Sequence, residues 1–115
     1  MKAKAKVNIA GASFHIGYAL GVATVIYRES GAELIATSVK DGEHGPASLH
    51  PKGNAADCRT RHLSADQIGN ILVALRRELE PVGFDVVDET DKPGAPHIHI
   101  EYQPKKGERF LQIVP

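Results

Sequence analysis

Two stretches of the chain repeat apolar residues at the three- and four-residue spacing that is typical of an amphipathic helix. The first covers residues 14–29 and is followed by Gly31, a residue type that commonly ends helices. The second begins after Ser64, which forms a capping box with Gln67, and stops at Pro81. The pattern therefore predicts two principal helices, with apolar stripes formed by Ile16, Leu20, Ala23 and Tyr27 and by Ile68, Ile71, Leu72, Leu75 and Leu79.

The rest of the chain contains short segments that are rich in β-forming residues or that alternate apolar and polar positions. Residues 40–54 are interrupted by several glycines and prolines and are predicted to form a loop. Short strands that are interspersed with helices and joined by tight turns indicate an α+β domain with a small, mainly antiparallel sheet. The predicted strands cover residues 33–39, 55–60, 84–88 and 96–102, with an edge strand at 110–114.

The composition is that of one globular domain over residues 1–115, with 42% apolar and 24% charged residues. Acidic and basic residues number 14 each, so no basic surface argues for nucleic acid as a partner. The longest apolar segment, residues 16–27, is shorter than the roughly twenty residues that span a bilayer, so we expect no membrane insertion. The N-terminus lacks the apolar stretch of a secretory signal, and the single Cys58 fits a reducing compartment. We therefore expect a protein that is made in the cytoplasm, and a target outside the membrane would require another route of delivery.

Four of the six histidines lie in two clusters. His44 and His50 belong to the predicted central loop, and His97 and His99 belong to a predicted late strand. Because alternate side chains of a strand share a face, His97, His99 and Glu101 should point to one side and the intervening isoleucines to the core. This face could line a metal site, or it could be the polar side of a half-buried strand.

His50 and Asp57 are separated by a proline and a glycine that favour a tight turn, so the two side chains can converge. Together with one more imidazole they would form a plausible zinc site with one position left for water. Asp57 could instead pair with Arg59 or Arg61, which could also bind a substrate carboxylate or serve as ordinary surface charge. Alternation turns Cys58 towards the core, which argues against a nucleophilic thiol.

The segment Ser48-Leu49-His50, followed by Gly53 and Asp57, resembles the signature of the M15 family of D-alanyl-D-alanine carboxypeptidases and dipeptidases. In that family the histidine, the aspartate seven residues later and a histidine of a late His-x-His or Trp-His strand bind zinc. The resemblance therefore implies a zinc cofactor and a peptide substrate that contains D-alanine and derives from peptidoglycan.

The chain is also similar to the amino-terminal signalling domains of Hedgehog proteins, which share the same fold and metal site. The similarity includes His44, the Gly-Phe-Asp of residues 83–85, the acidic Glu89 and the His-Ile-His of residues 97–99. The order of helices and strands also agrees. The resemblance covers roughly residues 14–103 and implies the Hedgehog/DD-peptidase fold.

By this resemblance the zinc ligands would be His50, Asp57 and His99, with His97 and His44 beside the metal as catalytic groups. Three protein ligands leave an open coordination position, which is typical of a catalytic zinc site.

The family places its catalytic acid shortly before the last ligand, and here two residues compete for that role. Glu89 is favoured because it directly follows a predicted strand, but the segment after it is several residues longer than expected, which leaves Asp91 as the alternative. The substrate would be bound by Ser48 of the motif and by Arg59 and Arg61.

The resulting hypothesis is a zinc-dependent peptidase that cuts D-amino-acid bonds of peptidoglycan, as a carboxypeptidase or as an endopeptidase. Such a protein would have to reach the cell wall by another route, for example attached to a phage particle. In this reaction zinc would lower the pKa of a water molecule, and Glu89 would transfer its proton to the leaving amine. A non-catalytic zinc-binding recognition module of Hedgehog-like fold is the alternative, and a metal-free structural domain is a third. The sequence indicates no particular oligomeric state.

Overall fold

The computed structural model describes residues 1–3, 14–40 and 54–103 of the chain. Two helices and five strands follow one another in this part, together with one short 3-10 turn. No helix of these residues is long and apolar enough to cross a membrane. The elements are β1 (Lys2–Ala3), α1 (Phe14–Glu29), β2 (Ile35–Lys40), β3 (Ala55–Arg59), α2 (Ala65–Leu79), the 3-10 turn Glu80–Val82, β4 (Phe84–Glu89) and β5 (His97–Tyr102).

Both helices begin and end close to the positions that the sequence predicts. The capping box of α2 is present, since the Ser64 hydroxyl accepts a hydrogen bond from the Gln67 amide at 3.1 Å. The Gln67 side chain accepts the Ser64 amide in return at 2.9 Å. After α1, Gly31 adopts a φ of 82°, which a glycine tolerates without strain.

The strands form one sheet in the order β1-β2-β3-β5-β4. β1 pairs with β2 in parallel, whereas the β2–β3, β3–β5 and β4–β5 pairs are antiparallel. The predicted α+β class is therefore confirmed, with a sheet that is mixed because of the short β1 strand. The loop predicted over most of residues 40–54 and the strand predicted at 110–114 lie outside the described residues.

The molecule has two layers, because both helices pack on the same face of the sheet. The core between the layers contains Cys58, which is fully buried as its predicted orientation requires. Burial raises the pKa of this thiol to about 12, so it is neutral and unreactive at physiological pH. The core also contains Ile16, Ala19, Leu20, Ala23, Ile26, Tyr27, Leu34, Ala36, Ala56, Ile71, Leu72, Leu75, Leu79, Phe84, Val86, Ile98 and Ile100.

Candidate metal centre

The pairing of β3 with β5 builds the candidate site on the sheet face opposite the helices. Asp57 lies directly across from His99, and Arg59 lies across from His97. Residues that face each other in an antiparallel pair project to the same side, so these four side chains share one surface. The isoleucine between the two histidines is fully buried, which confirms the predicted orientation of this strand.

Asp57 contacts both histidines of β5. Its Oδ1 atom lies 2.7 Å from His99 Nδ1 and 3.6 Å from His97 Nε2. One ligand atom from each of Asp57, His97 and His99 lies within 4.8 Å of the others. All three residues are half-buried. Two imidazoles and a carboxylate are a donor set that zinc accepts, so these residues lie close enough together to hold a metal ion.

Each histidine is oriented by a second contact on its other ring nitrogen. His97 Nδ1 donates to the Ala95 carbonyl at 2.7 Å, which leaves Nε2 directed at Asp57. His99 Nε2 lies 3.2 Å from a carboxylate oxygen of Glu101, which leaves Nδ1 directed at Asp57. Metal-binding histidines commonly have such partners, because these fix the ring and the tautomer. The orientation of the two imidazole rings, and not only the short distances among the three side chains, is therefore compatible with metal binding.

The carboxylates around His99 favour its protonated form. The hydrogen bond with Asp57 raises the pKa of His99 to about 8, and Glu101 adds to this effect while burial opposes it. Without a metal, both ring nitrogens of His99 would therefore carry protons at neutral pH and donate to the two carboxylates.

Glu89 at the end of β4 extends the site on the other side of His97. It lies across from His97 in the β4–β5 pair, and its Oε1 atom is 3.1 Å from His97 Nε2. Its second oxygen lies 2.6 Å from the Lys92 ammonium. The hydrogen bonds with Lys92 and, to a smaller extent, with His97 lower the pKa of Glu89, so its carboxylate is ionised at neutral pH. Asp91, the other candidate for the acid, is exposed to solvent.

A cavity of about 320 Å³ adjoins this centre. Arg59 and Arg61, the two predicted substrate-binding arginines, both line it. Thr37 lines it as well, at a position where the β2–β3 register shifts by one residue. The Thr37 hydroxyl donates to the backbone oxygen of Asp57 at 3.5 Å, so one residue of the cavity wall contacts the backbone of a candidate ligand.

The structure thus brings together five of the predicted site residues, namely Asp57, Glu89, His97, His99 and Arg59, and it places Arg61 at the cavity. The predicted ligand His50 and the predicted His44 and Ser48 lie outside the described residues.

The roles of Glu101 and Lys92 at the site are not evident from the sequence motif. Glu101 was predicted to share the face of His99, and its position two residues later on the same strand was the available signal. Lys92 follows Glu89 by three residues across a turn, a spacing that brings the two side chains together only once the turn is formed.

Comparisons of the chain with protein-family models, with curated proteins and with solved structures each found no match. The fold and the geometry by themselves define an α+β domain with two histidines and a carboxylate that could hold a metal ion on an open sheet face.

Proposed function

We propose that this protein is a zinc-dependent peptidase of the M15 type, with a Hedgehog/DD-peptidase fold, that hydrolyses D-amino-acid bonds in peptides derived from peptidoglycan. The observation that carries the proposal is the grouping of Asp57, His97 and His99 on one open face, with the Glu89 carboxylate 3.1 Å from His97. A metal site with a carboxylate beside it is the combination that metal-assisted hydrolysis requires.

The sequence motif supports His50, Asp57 and His99 as the ligands, with His97 beside the metal. Zinc, when bound, would supply Lewis acidity and a water molecule of lowered pKa. Within the described part of this set, Asp57 and His99 already lie in hydrogen-bond contact, so little rearrangement of their side chains would be needed.

Glu89 and His97 would carry the proton transfers. Because Glu89 is ionised at neutral pH, it can accept a proton from the attacking water and pass it to the leaving amine. His97 is oriented by the hydrogen bond from its Nδ1–H to the Ala95 carbonyl, and in its doubly protonated form its Nε2–H could also donate to the negative charge that develops on the scissile carbonyl oxygen.

The test combines metal analysis with hydrolysis. Zinc is quantified by elemental analysis in protein that is purified without a histidine tag, and a panel of muropeptides is then followed by mass spectrometry. Glu89→Gln should retain zinc and the folded state but lower turnover by about 10²- to 10⁴-fold, because it removes the proton acceptor. Asp91→Asn is the matched control, because Asp91 is exposed, and it should leave turnover nearly unchanged.

Two results would contradict these assignments. Should both variants cleave every substrate as well as the wild type does, the role of Glu89 is wrong. Should the wild-type protein bind zinc tightly and cleave none of the peptides, the peptidase proposal itself is wrong.

A non-catalytic zinc-binding recognition module is the second candidate function, and one contact favours it. Lys92 holds Glu89 at 2.6 Å and lowers its pKa, whereas a general base works best when its pKa lies near the operating pH. A recognition module would bind a peptide or protein ligand at the zinc-loaded face without product formation, and the hydrolysis panel separates it from the peptidase.

A further inference from the structure

The outer face of α1 differs in chemistry from the outer face of α2. The residues of α2 that point away from the core are mostly polar or charged, among them Asp66, Asn70 and Arg77. Residues 14–27 of α1 contain no lysine, arginine, aspartate or glutamate on any side of the helix. A helix that is apolar on all sides is normally covered on all sides, so the outer face of α1 is suited to contact another surface.

Four residues form a line along this outer face, namely Phe14, Tyr18, Gly21 and Val25, and we call them the α1 stripe. Phe14 is 84% exposed, Tyr18 is 48% exposed and Val25 is 51% exposed. A Cβ atom added at Gly21 would meet no heavy atom within 4 Å, so this position is an open notch in the stripe. The successive spacings of four, three and four residues are those of the contact seam of a coiled coil. The α1 stripe therefore has the residue spacing that packing against a second helix requires.

Neighbouring rings hold the aromatic end of the α1 stripe in place. The Tyr18 ring stacks on Phe84 of β4, with ring centroids 6.3 Å apart. The His15 ring stacks on Tyr102 of β5 at 3.9 Å, and the Phe14 ring meets His15 edge-on at 5.8 Å. A side chain that is already fixed by such contacts loses less conformational entropy when a partner binds. The two exposed aromatic residues are thus preorganised for contact.

The α1 stripe is complementary to a second copy of itself. Its spacing is the same when it is read in either direction along the helix, so two antiparallel copies related by a twofold axis place matching positions opposite each other. Phe14 then faces Val25 of the partner subunit, and Tyr18 faces Gly21 of the partner subunit. Each pair combines a large side chain with a smaller one, which allows the usual distance of about 8–10 Å between helix axes. A twofold dimer requires a surface that is self-complementary in this way.

A parallel arrangement of the same two helices would fit less well. It would place Tyr18 against Tyr18 of the partner subunit and Gly21 against Gly21 of the partner subunit. The first pair would hold the helices apart, and the second would leave a gap that no side chain fills, which reduces the contacts that stabilise a helix pair. The order of large and small residues therefore favours the antiparallel pair.

The small size of the α1 stripe implies weak association. A fully buried aromatic side chain removes about 150–250 Å² from water, and Phe14 and Tyr18 supply most of the exposed apolar area. Two copies of the stripe bury roughly 1,000 Å² in total, which is the lower limit for a specific interface. We therefore expect a dissociation constant on the order of 10–100 μM.

We propose that this protein forms a twofold dimer by antiparallel packing of α1 against α1 of a second copy. The proposal does not depend on the proposed peptidase function. Because α1 packs on the sheet face opposite the candidate metal centre, the centres of both copies remain accessible in the dimer. One dimer could therefore engage two chains of a polymeric ligand, which raises the overall affinity without new contacts.

Sedimentation velocity of the full chain tests the dimer directly. The protein is measured from about 5 to 500 μM, a range that brackets the expected dissociation constant, in buffer with EDTA to exclude metal bridges between copies. The weight-average mass should rise from that of the monomer towards twice that value. A mass that stays at the monomer value at every concentration would overturn the proposal. Growth beyond the dimer would overturn it as well, because a twofold contact closes on itself.

A matched pair of charge substitutions locates the contact. Val25→Glu places a carboxylate in the apolar seam and should weaken association at least about 10-fold, because the charge would be buried without a partner. Val73→Glu is the control, since Val73 is 65% exposed on α2, and it should leave association unchanged. Both side chains are exposed in the monomer, so both variants should fold. Equal association of the two variants would contradict the placement of the contact on α1.

The same pair detects a different occupant of the α1 stripe. If another part of the chain covers the stripe, the full-length protein stays monomeric and Val25→Glu lowers the midpoint of urea unfolding, whereas Val73→Glu does not. This result would show an intramolecular contact, and the dimer proposal would be wrong.

A second pair of variants tests the notch at Gly21. Gly21→Leu should raise the midpoint of urea unfolding of the monomer, because the space is open and leucine favours a helix more than glycine does. It should nevertheless weaken association at least about 10-fold, because the added side chain occupies the place of Tyr18 of the partner subunit. Gly69→Leu on α2, where the space is also open, should stabilise the monomer and leave association unchanged. Stronger association of Gly21→Leu would show nonspecific apolar contact and would overturn the proposal.

Disulfide cross-linking tests the antiparallel register. Phe14→Cys and Val25→Cys proteins are mixed and oxidised with glutathione disulfide, and Cys58 does not interfere because it is fully buried. The mixed dimer should form faster than either homodimer, since residues 14 and 25 face each other only in the antiparallel pair. Faster linkage of Val25→Cys to itself would indicate a parallel pair and would contradict the proposed packing.

Discussion

Asp57 contacts both histidines of the candidate centre through the same oxygen atom. The separations from Oδ1 are 2.7 Å to His99 Nδ1 and 3.6 Å to His97 Nε2. His97 is in addition held by Glu89 at 3.1 Å and by the Ala95 carbonyl. These contacts allow two ligand sets, one with His97 as a ligand and one with His97 as a neighbour that donates a hydrogen bond.

Alanine variants of the two histidines distinguish these sets. If His99, Asp57 and the motif histidine His50 bind the metal, His99→Ala should lose zinc after dialysis, since two remaining ligands hold the ion poorly. His97→Ala should then retain about one zinc per chain and lose mainly turnover. His62→Ala is the control, because His62 contacts the Glu33 carbonyl at 2.8 Å and lies outside the cluster. Loss of zinc from His97→Ala with retention in His99→Ala would reverse the assignment.

Protonation of His99 should make metal binding dependent on pH. Because Asp57 and Glu101 raise the pKa of His99 to about 8, a metal that binds this imidazole must displace a proton throughout the neutral range. Metal affinity should therefore fall as the pH drops through about 8. The stability of the metal-free protein should depend on pH in the opposite direction. Because the pKa of His99 is higher in the folded state than the value of about 6.5 in the unfolded state, its protonation stabilises the fold at low pH, and this contribution is lost as the pH rises through about 8.

Calorimetric zinc titrations check this prediction. At about pH 7 the heat of binding should differ between buffers of different ionisation enthalpy, which reports the released proton. Glu101→Gln removes one of the two carboxylates and should shift the dependence to lower pH. A constant affinity between about pH 8.5 and pH 6 would exclude His99 from the site.

The connection between β4 and β5 contains the segment after Glu89 that is longer than the family resemblance predicts. It supports the candidate site at three points. Lys92 holds Glu89, the Ala95 carbonyl orients His97, and Gly94 accepts a hydrogen bond from Arg61. The residues of this connection therefore position three of the side chains that form the site.

Gly94 gives this connection its shape, because its φ of +91° is one that side chains with a Cβ atom rarely adopt. Gly94→Ala should lower the free energy of unfolding by about 1–2 kcal/mol through this strain alone, since the space around the position is open. Gly69→Ala is the matched control: it lies in the exposed part of α2 with open space as well, and it should raise the free energy of unfolding by about 0.5–1 kcal/mol. Urea denaturation measures both changes. If both substitutions changed the free energy of unfolding in the same direction, the argument from the backbone conformation of Gly94 would be wrong.

Local patterns were sufficient to predict the elements that lie around the site. The capping box of α2 and the alternation of β5 depend on residues that are close in the chain, and both are present with the expected orientation. The strand order could not be predicted, because the parallel pairing of β1 with β2 depends on contacts that are distant in sequence. The same holds for the extra residue Thr37 in β2, whose position next to Asp57 follows from a register shift that no local pattern records.

At the scale of the whole molecule, the core and the candidate metal centre lie on opposite faces of the sheet. Cys58, Ile98 and Ile100 point into the helical layer and are fully buried, whereas Asp57 and His99 point to the open side. The hydrophobic contacts that stabilise the fold therefore do not require the metal. This differs from small zinc domains in which the ion replaces a core, and it predicts that the metal-free protein folds.

A thermodynamic comparison of two variants tests this separation. Zinc should add to the free energy of unfolding by mass action, with about 2.7 kcal/mol at a free concentration of 100 times the Kd. His99→Ala should lose this zinc-dependent increment while it remains folded in zinc-free buffer, because its side chain contributes nothing to the core. Ile98→Ala should lower stability by about 2–5 kcal/mol in the presence and in the absence of zinc, because it creates a cavity beneath the site rather than removing a ligand. Urea denaturation with and without zinc gives the four values. If the metal-free wild-type protein is unfolded, the core does not stabilise the fold without the metal. The conclusion that the core and the metal centre contribute independently to stability is then wrong.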